Sequence, residues 1–250
     1  MGNDTGRTGF VDGAATTIPE GLFDVLYEDN HLLAANKPAG LLTQPSGRTM
    51  ESLEDRARAW IRRTGSKTGN VFVHAVHRLD RPTSGVVLFA KTSKALSRMN
   101  EQQRMRKIRK VYHAVVTGRL PLEEGTLSHT LRHSRMRSVV SKPFEAGAKE
   151  CSLRYRVIGH SGRLTLVELE LVTGRYHQIR AQLGASGCPV LGDVAYGGTP
   201  QPEIGGIALH HVRMEFEHPT KKTLLCIRAP YPRSWSGLTL VRGGSLSLSG

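Results

Sequence analysis

The sequence predicts an α+β fold built on a mixed, mostly antiparallel sheet with flanking helices. Three observations predict it. Segments of strand character outnumber helical ones. They follow one another in runs rather than alternating strictly with helices, the order expected when the sheet is not built from βαβ units. The marks of a doubly wound nucleotide-binding fold are also missing: no Gly-x-Gly-x-x-Gly follows a strand and there is no Walker loop.

The elements follow in order. Residues 1–21 are polar, without the apolar stretch of a secretory signal, and read as a flexible arm. Residues 23–27 form a first strand, Asp29-Asn30 a turn, and 31–36 a second strand. Lys37-Pro38-Ala39-Gly40 then turns and leaves a lysine near a strand end. Thr49 is the expected N-cap of an amphipathic helix in which Leu53, Ala57, Trp60 and Ile61 share a face and Gly65 is the stop. Arg56, Arg58, Arg62 and Arg63 make its outer face basic. Residues 71–76 lead to His77-Arg78-Leu79-Asp80, and 86–90 form a buried strand. Thr92 or Ser93 caps a second helix, running to about Arg106, with Ala95, Leu96 and Met99 as its apolar stripe.

Residues 111–116 are a strand set in a block rich in Lys and Arg. Residues 125–150 alternate Ser, His, Arg and Lys and read as a basic hairpin or loop of weak strands. Residues 151–157 and 164–172 are clearer strands, the second alternating with period two. A turn at Gly174 precedes a short helix with Ile179 and Leu183 on one face, His177 and Arg180 on another, and Gly184 or Gly187 as its stop. Residues 189–198 form a loop system. Val212, Met214 and Phe216 alternate with charged residues, and 223–227 pair back across His218-Pro219. Beyond Trp235 the chain becomes a tail of Gly, Ser and Leu. The organisation is therefore an arm at 1–21, one folded body at 22–235 and a tail at 236–250.

Composition narrows the partner. Of 250 residues, 35 are Lys or Arg and 21 are Asp or Glu, a net charge of +14 that favours a polyanion. No apolar run approaches the ~18–20 residues of a transmembrane helix, so no membrane partner is expected. The three cysteines, Cys151, Cys188 and Cys226, are far apart, which fits reduced thiols in a cytoplasmic protein. They leave no zinc-ligand spacing, and neither His-Glu-x-x-His nor the deaminase pattern of His-x-Glu with Pro-Cys-x-x-Cys occurs, so no metal is expected. A monomer is expected.

Taken alone, Asp80 between Arg78 and Arg81 is an ion pair that tidies a loop, and Tyr112 is a core tyrosine. Five blocks in sequence change that reading. They are Lys37-Pro38-Ala39-Gly40; His77-Arg78-Leu79-Asp80 with Thr83-Ser84-Gly85; Lys107, Lys110 and Tyr112 spaced Lys-x-x-Lys-x-Tyr; Gly174-Arg175-x-His177-Gln178-Ile179-Arg180; and Leu191-Gly192-Asp193 before Tyr196-Gly197. In this order, over about 23–235, they resemble the RluA family of pseudouridine synthases.

The resemblance implies a pseudouridine synthase catalytic domain at 22–235, with a central active-site cleft across a largely antiparallel sheet and no cofactor. It implies an isomerase that cleaves the N-glycosidic bond of a uridine in RNA, turns the base and rejoins it through C5. Asp80 matches the essential aspartate, suited to attack the ribose C1′ or to take a proton from C2′. Arg180 matches the arginine that pairs with it and can offset charge on the departing uracil. Tyr112 matches the aromatic that packs on the target base. Arg78 matches a residue implicated in holding the RNA where the nucleotide leaves its stack. Arg81, Thr83, Gly85, Lys110, Arg175, His177 and Gln178 are the remaining expected substrate contacts.

Several members carry an S4-type RNA-binding domain; none is expected here, so the basic surface of the catalytic domain would grip the RNA. Ribosomal and transfer RNA both fit, with 125–150 expected to set the preference. A binding module without chemistry has no use for a carboxylate facing polyphosphate, and a DNA-binding regulator lacks a helix-turn-helix or zinc-finger pattern.

Overall fold

The sheet starts from a hairpin. In the computed structural model, which describes residues 23–47, 50–65 and 71–238 and the backbone pairs at 240–241 and 245–246, β1 (Asp24–Glu28) pairs antiparallel with β2 (Leu32–Lys37). Asp29 shapes the turn by accepting the N–H groups of His31 and Leu32 at 2.8 and 2.9 Å. The arm expected at 1–21, and most of the tail beyond 238, lie outside the described residues.

Next to β2 lies β4 (Ser84–Ala90), buried along its whole length. Its unbroken apolar run follows from being covered on both faces. Alternate side chains then serve two cores. Val87 and Phe89 join Leu53, Ala57 and Ile61 of α1 (Leu53–Thr64), whereas Val86, Leu88 and Ala90 join Ala95 and Met99 of α2 (Ser93–Arg104). The short β3 (His74–Ala75) also pairs with β4.

Thr92 caps α2 as expected, its side chain accepting the Ala95 N–H at 3.1 Å. The first helix is capped differently. Thr49 lies outside the described residues, and the N-cap is Ser52. Its hydroxyl accepts the Asp55 N–H at 3.2 Å, and the Asp55 carboxylate accepts the Ser52 N–H at 3.1 Å. This reciprocal pair satisfies two backbone donors of the helix start.

The remaining strands are β5 (Arg109–Thr117), β6 (Glu124–Ser134), β7 (Arg137–Val140), β8 (Lys149–Ser161), β9 (Leu164–Leu171), β10 (Leu209–Glu217), β11 (Leu224–Arg228), β12 (Leu240–Val241) and β13 (Ser245–Leu246). The order is β1-β2-β4-β10-β5-β9-β8-β12-β13, with β6 and β7 attached beside β8 and β11 beside β10. Among the described residues β4 and β10 pair in parallel and the other named strand pairs are antiparallel.

Two stretches are more regular than the sequence suggested. Residues 125–150 are not weakly structured: β6 runs for 11 residues and pairs with β8, which runs for 13. β10 begins at Leu209, three residues before its alternation becomes visible, because Leu209, His210 and His211 are all buried. The last helix, α3 (Gln178–Ala185), follows β9. No helix among the described residues is long and apolar enough to cross a membrane.

Candidate active site

Asp80 opens a tight turn. The Thr83 N–H donates to the Asp80 carbonyl at 3.0 Å, and the neighbouring chain grips the turn from outside. The Arg81 carbonyl accepts the Gly40 N–H at 2.8 Å and the Lys37 ammonium at 3.1 Å. The Thr43 hydroxyl donates to the Leu79 carbonyl at 2.8 Å and accepts the Leu79 N–H at 3.1 Å. The Lys-Pro-Ala-Gly block thus serves as the mount for Asp80. Lys37 is 0% exposed and also donates to the Pro38 and Leu41 carbonyls. Burial lowers its pKa to about 7, against the pull of Asp80.

Arg180 meets this turn from α3, a hundred residues along the chain. Its Nη1 donates to Asp80 Oδ2 at 3.1 Å, while Nε and Nη2 donate to the two oxygens of Asp193 at 2.7 and 2.8 Å. Burial opposes the charge on Arg180, but hydrogen bonding and proximity to Asp193, then Asp80, outweigh it and raise its pKa further. The Arg180 guanidinium also lies over the Tyr196 ring, 5.0 Å from its centroid. Gln178 holds the entry to α3. Its amide oxygen accepts the Arg175 N–H and the Thr173 hydroxyl at 2.9 and 2.8 Å, and its amide nitrogen donates to the Ser152 carbonyl at 3.1 Å.

A row of residues crosses the sheet beside the turn. Gly85 on β4 pairs with His211 on β10, and His211 pairs with Tyr112 on β5. Cross-strand neighbours share a face, and the His211 imidazole stacks on the Tyr112 ring with centroids 4.4 Å apart. Burial, then Asp80, raises the pKa of the Tyr112 phenol. Its hydroxyl makes no hydrogen bond among the described residues. Burial lowers His211 to about 3, and its Nδ1 lies 2.7 Å from the Val86 carbonyl. That carbonyl can only accept, so Nδ1 carries the proton.

Asp80, Arg180 and Tyr112 line a cleft of about 1070 Å³ that also takes in Arg78, Thr83, Lys110, Arg175 and His177. Burial lowers Lys110 to about 8 and His177 to about 4. Arg104, Arg106 and Lys107 add exposed positive charge to the same lining. Arg78 lies over the Tyr176 ring at 5.9 Å.

Three expected substrate contacts sit elsewhere or are otherwise engaged. The Arg81 side chain is outside the cleft lining and donates to the Gly40 carbonyl at 2.9 Å. Gly85 is packed under β10: at its φ of +113° an added Cβ would come 2.4 Å from the His211 carbonyl oxygen. Gln178 borders the cleft but is 3% exposed, and its amide is taken up by backbone and Thr173. Asp193, Lys37, His211 and Tyr196 were not singled out as site residues. Asp193 and Tyr196 fall in the last matched block, so the proximity of that block to Arg180 was the available signal; nothing pointed to His211.

Among the described residues no three His, Cys, Asp or Glu side chains are grouped to hold a metal ion. The model of the RNA pseudouridylate synthase family matches residues 31–185. The chain belongs to this family. It is an RluA-like RNA pseudouridine synthase, an isomerase. It is 35% identical over 218 residues to the dual-specificity RNA pseudouridine synthase RluA of Vibrio cholerae, covering 84% of this chain and 85% of that one. It is 34% identical over 228 residues to the RNA pseudouridine synthase YhcT of Bacillus subtilis, covering 90% of this chain and 74% of the relative. The structure of human RNA pseudouridylate synthase domain containing 4 shares the fold, with a TM-score of 0.73 at 21% identity over 84% of this chain and 91% of that one. The α+β class and mixed, mostly antiparallel sheet read from the sequence are those of this pseudouridine synthase fold.

Proposed function

We propose that this synthase converts specific uridines of a structured ribosomal or transfer RNA into pseudouridine, with Asp80 as the essential carboxylate and the target nucleotide flipped into the cleft. The observation that carries the reading is the Asp80–Arg180 pair, 3.1 Å apart, in a cleft otherwise lined largely by positive charge.

The chemistry follows from that pair. Asp80 attacks C1′, or takes the C2′ proton, as the C1′–N1 bond breaks and uracil leaves with the electron pair. Arg180 offsets the charge that develops. The base turns and C5 bonds to C1′ as the Asp80–C1′ bond breaks or, on the second route, as the proton taken from C2′ returns to C2′; C5 loses its proton and N1 gains one, so the product is an isomer of the substrate. Tyr112 packs against the base. Burial raises the pKa of its phenol, which stays protonated there. Arg78, Lys110 and Arg175 bind the flanking RNA. Extruding a nucleotide costs a few kcal/mol, which contacts to phosphate and base offset.

Asp80→Asn tests the assignment on a transcript carrying the target uridine. The expected result is no pseudouridine, with RNA affinity and folding close to wild type. Pseudouridine formation by that variant would overturn the role given to Asp80. Mapping pseudouridines in total RNA with and without the protein identifies the transcript, as the site that is lost.

A further inference from the structure

We infer that His177 and Tyr196 form a second support for the Asp80 carboxylate, holding Oδ2 so that Oδ1 is the oxygen that reacts. The inference rests on the assignment of Asp80 made above.

The direction of each hydrogen bond can be worked out from one end. The Ser138 backbone N–H lies 2.9 Å from Tyr196 Oη and can only donate, so Oη accepts there. Tyr196 Oη lies 3.0 Å from His177 Nδ1, and His177 Nε2 lies 3.5 Å from Asp80 Oδ2. Burial keeps His177 neutral near pH 7, so the ring carries one proton. A carboxylate facing Nε2 draws that proton to Nε2, and Nδ1 then accepts the Tyr196 hydroxyl proton. Hydrogen bonds run from amide to phenol to imidazole, and the imidazole Nε2–H faces the carboxylate at 3.5 Å. This arrangement selects one imidazole tautomer, as a partner on the far ring nitrogen does.

His177 is held for this task. Its ring stacks on Tyr176 with centroids 3.8 Å apart and meets the Tyr196 ring edge-on at 5.8 Å. Its backbone is left-handed, φ 51°, at the N-cap of α3, a conformation that side chains beyond glycine adopt at a cost. That turn brings His177 beside the helix that carries Arg180.

Both supports converge on one oxygen. Arg180 Nη1 reaches Oδ2 at 3.1 Å and His177 Nε2 approaches the same atom. Oδ1 accepts no hydrogen bond among the described residues. A carboxylate gripped through one oxygen from two directions presents the other, with its lone pairs free, to the cleft. His177 is therefore a positioning residue that acts through Asp80, not a contact to RNA.

The experiment compares Tyr196→Phe, His177→Gln and His177→Ala with wild type in single-turnover pseudouridine formation and RNA binding. It adds ¹⁵N NMR of the His177 imidazole. The wild-type ring is expected as the Nε2–H tautomer, and Tyr196→Phe is expected to give a mixture. Tyr196→Phe and His177→Ala should slow the chemical step about 10- to 100-fold, the scale of a carboxylate displaced by a fraction of an ångström. RNA affinity should stay within about twofold. His177→Gln, whose amide can still donate to Asp80, should recover part of the rate.

A wild-type Nδ1–H tautomer overturns the inference without any variant. So does an unchanged rate in these variants while Asp80→Asn is inactive, or a loss confined to RNA affinity. Activity in Asp80→Asn overturns the underlying assignment instead.

Discussion

Arg180 bridges two carboxylates, with Asp193 on its Nε and Nη2 at 2.7 and 2.8 Å and Asp80 on its Nη1 at 3.1 Å. The Asp193 side chain is 1% exposed, and its turn is closed by the Gly198 N–H donating to the Asp193 carbonyl at 2.8 Å. The bidentate side of the bridge fixes the guanidinium plane, and the remaining nitrogen then has one direction in which to meet Asp80.

Asp193→Asn keeps the shape of the side chain and removes its charge. The buried Arg180 is left with one carboxylate. Stability should fall by about 3–5 kcal/mol, the range for breaking a buried pair from one side, and pseudouridine formation should fall with it. Urea unfolding and a turnover assay at a temperature where the variant stays folded measure the two effects separately.

Arg180→Lys retains the charge but offers a single ammonium where a planar fork now spans two acids. The lysine follows Asp193 or Asp80, not both. Turnover should drop about 100-fold or more while RNA affinity changes little. Turnover near wild type would show that charge alone suffices.

Gly85→Ala places a methyl 2.4 Å from the His211 carbonyl oxygen at a φ of +113°. Neither β4 nor β10 can yield without breaking the sheet beside the Asp80 turn. The variant should be severely destabilised or insoluble, measured by soluble yield and thermal unfolding. A folded Gly85→Ala with weakened RNA binding would instead restore the expected substrate contact.

Arg106 and Lys107 are exposed on the cleft lining, where phosphates of a bound RNA would pass. Replacing both with Gln should lower the slope of log K against log salt by about 1.4–1.8, since each neutralised phosphate contributes about 0.7–0.9. Binding measured over a salt series gives the slope, and the single-turnover rate at saturating RNA should be little changed.

His211 carries a folded-state pKa of about 3 against an ordinary value of 6.5. Between these values the unfolded chain binds a proton that the folded chain refuses. Stability from this group is therefore intact above pH 6.5 and is lost as pH falls toward 3. His211→Phe keeps a ring against Tyr112 and removes the titration. Urea midpoints at pH 7 and pH 5 should differ less in the variant than in wild type.

The lines of the fold that depend on neighbours in sequence were legible. β4 is a continuous apolar run, β9 alternates, and α2 starts at Thr92 as its side chain dictates. The distant pairing of Asp80 with Arg180 was legible only through the order of the five blocks, since a hundred residues of chain separate them. Elements governed by cover from elsewhere were not. The start of β10 hides its alternation because His210 and His211 are buried on their own account, and Ser52 caps α1 because Asp55 can answer it.

Local chemistry determined the turn at Asp80, the basic character of the cleft and the identity of the family. Tertiary structure decided which matched residues face the cleft and which support it. Gly85 and Gln178 carry the family pattern as much as Arg78 or Lys110 do, yet one is packed beneath a crossing strand and the other is occupied by backbone. The reason is that hydrogen-bond partners and close approaches are set in space by strands and helices brought together from distant parts of the chain. A residue type states what a side chain can donate, accept or fill; the fold decides what stands opposite it.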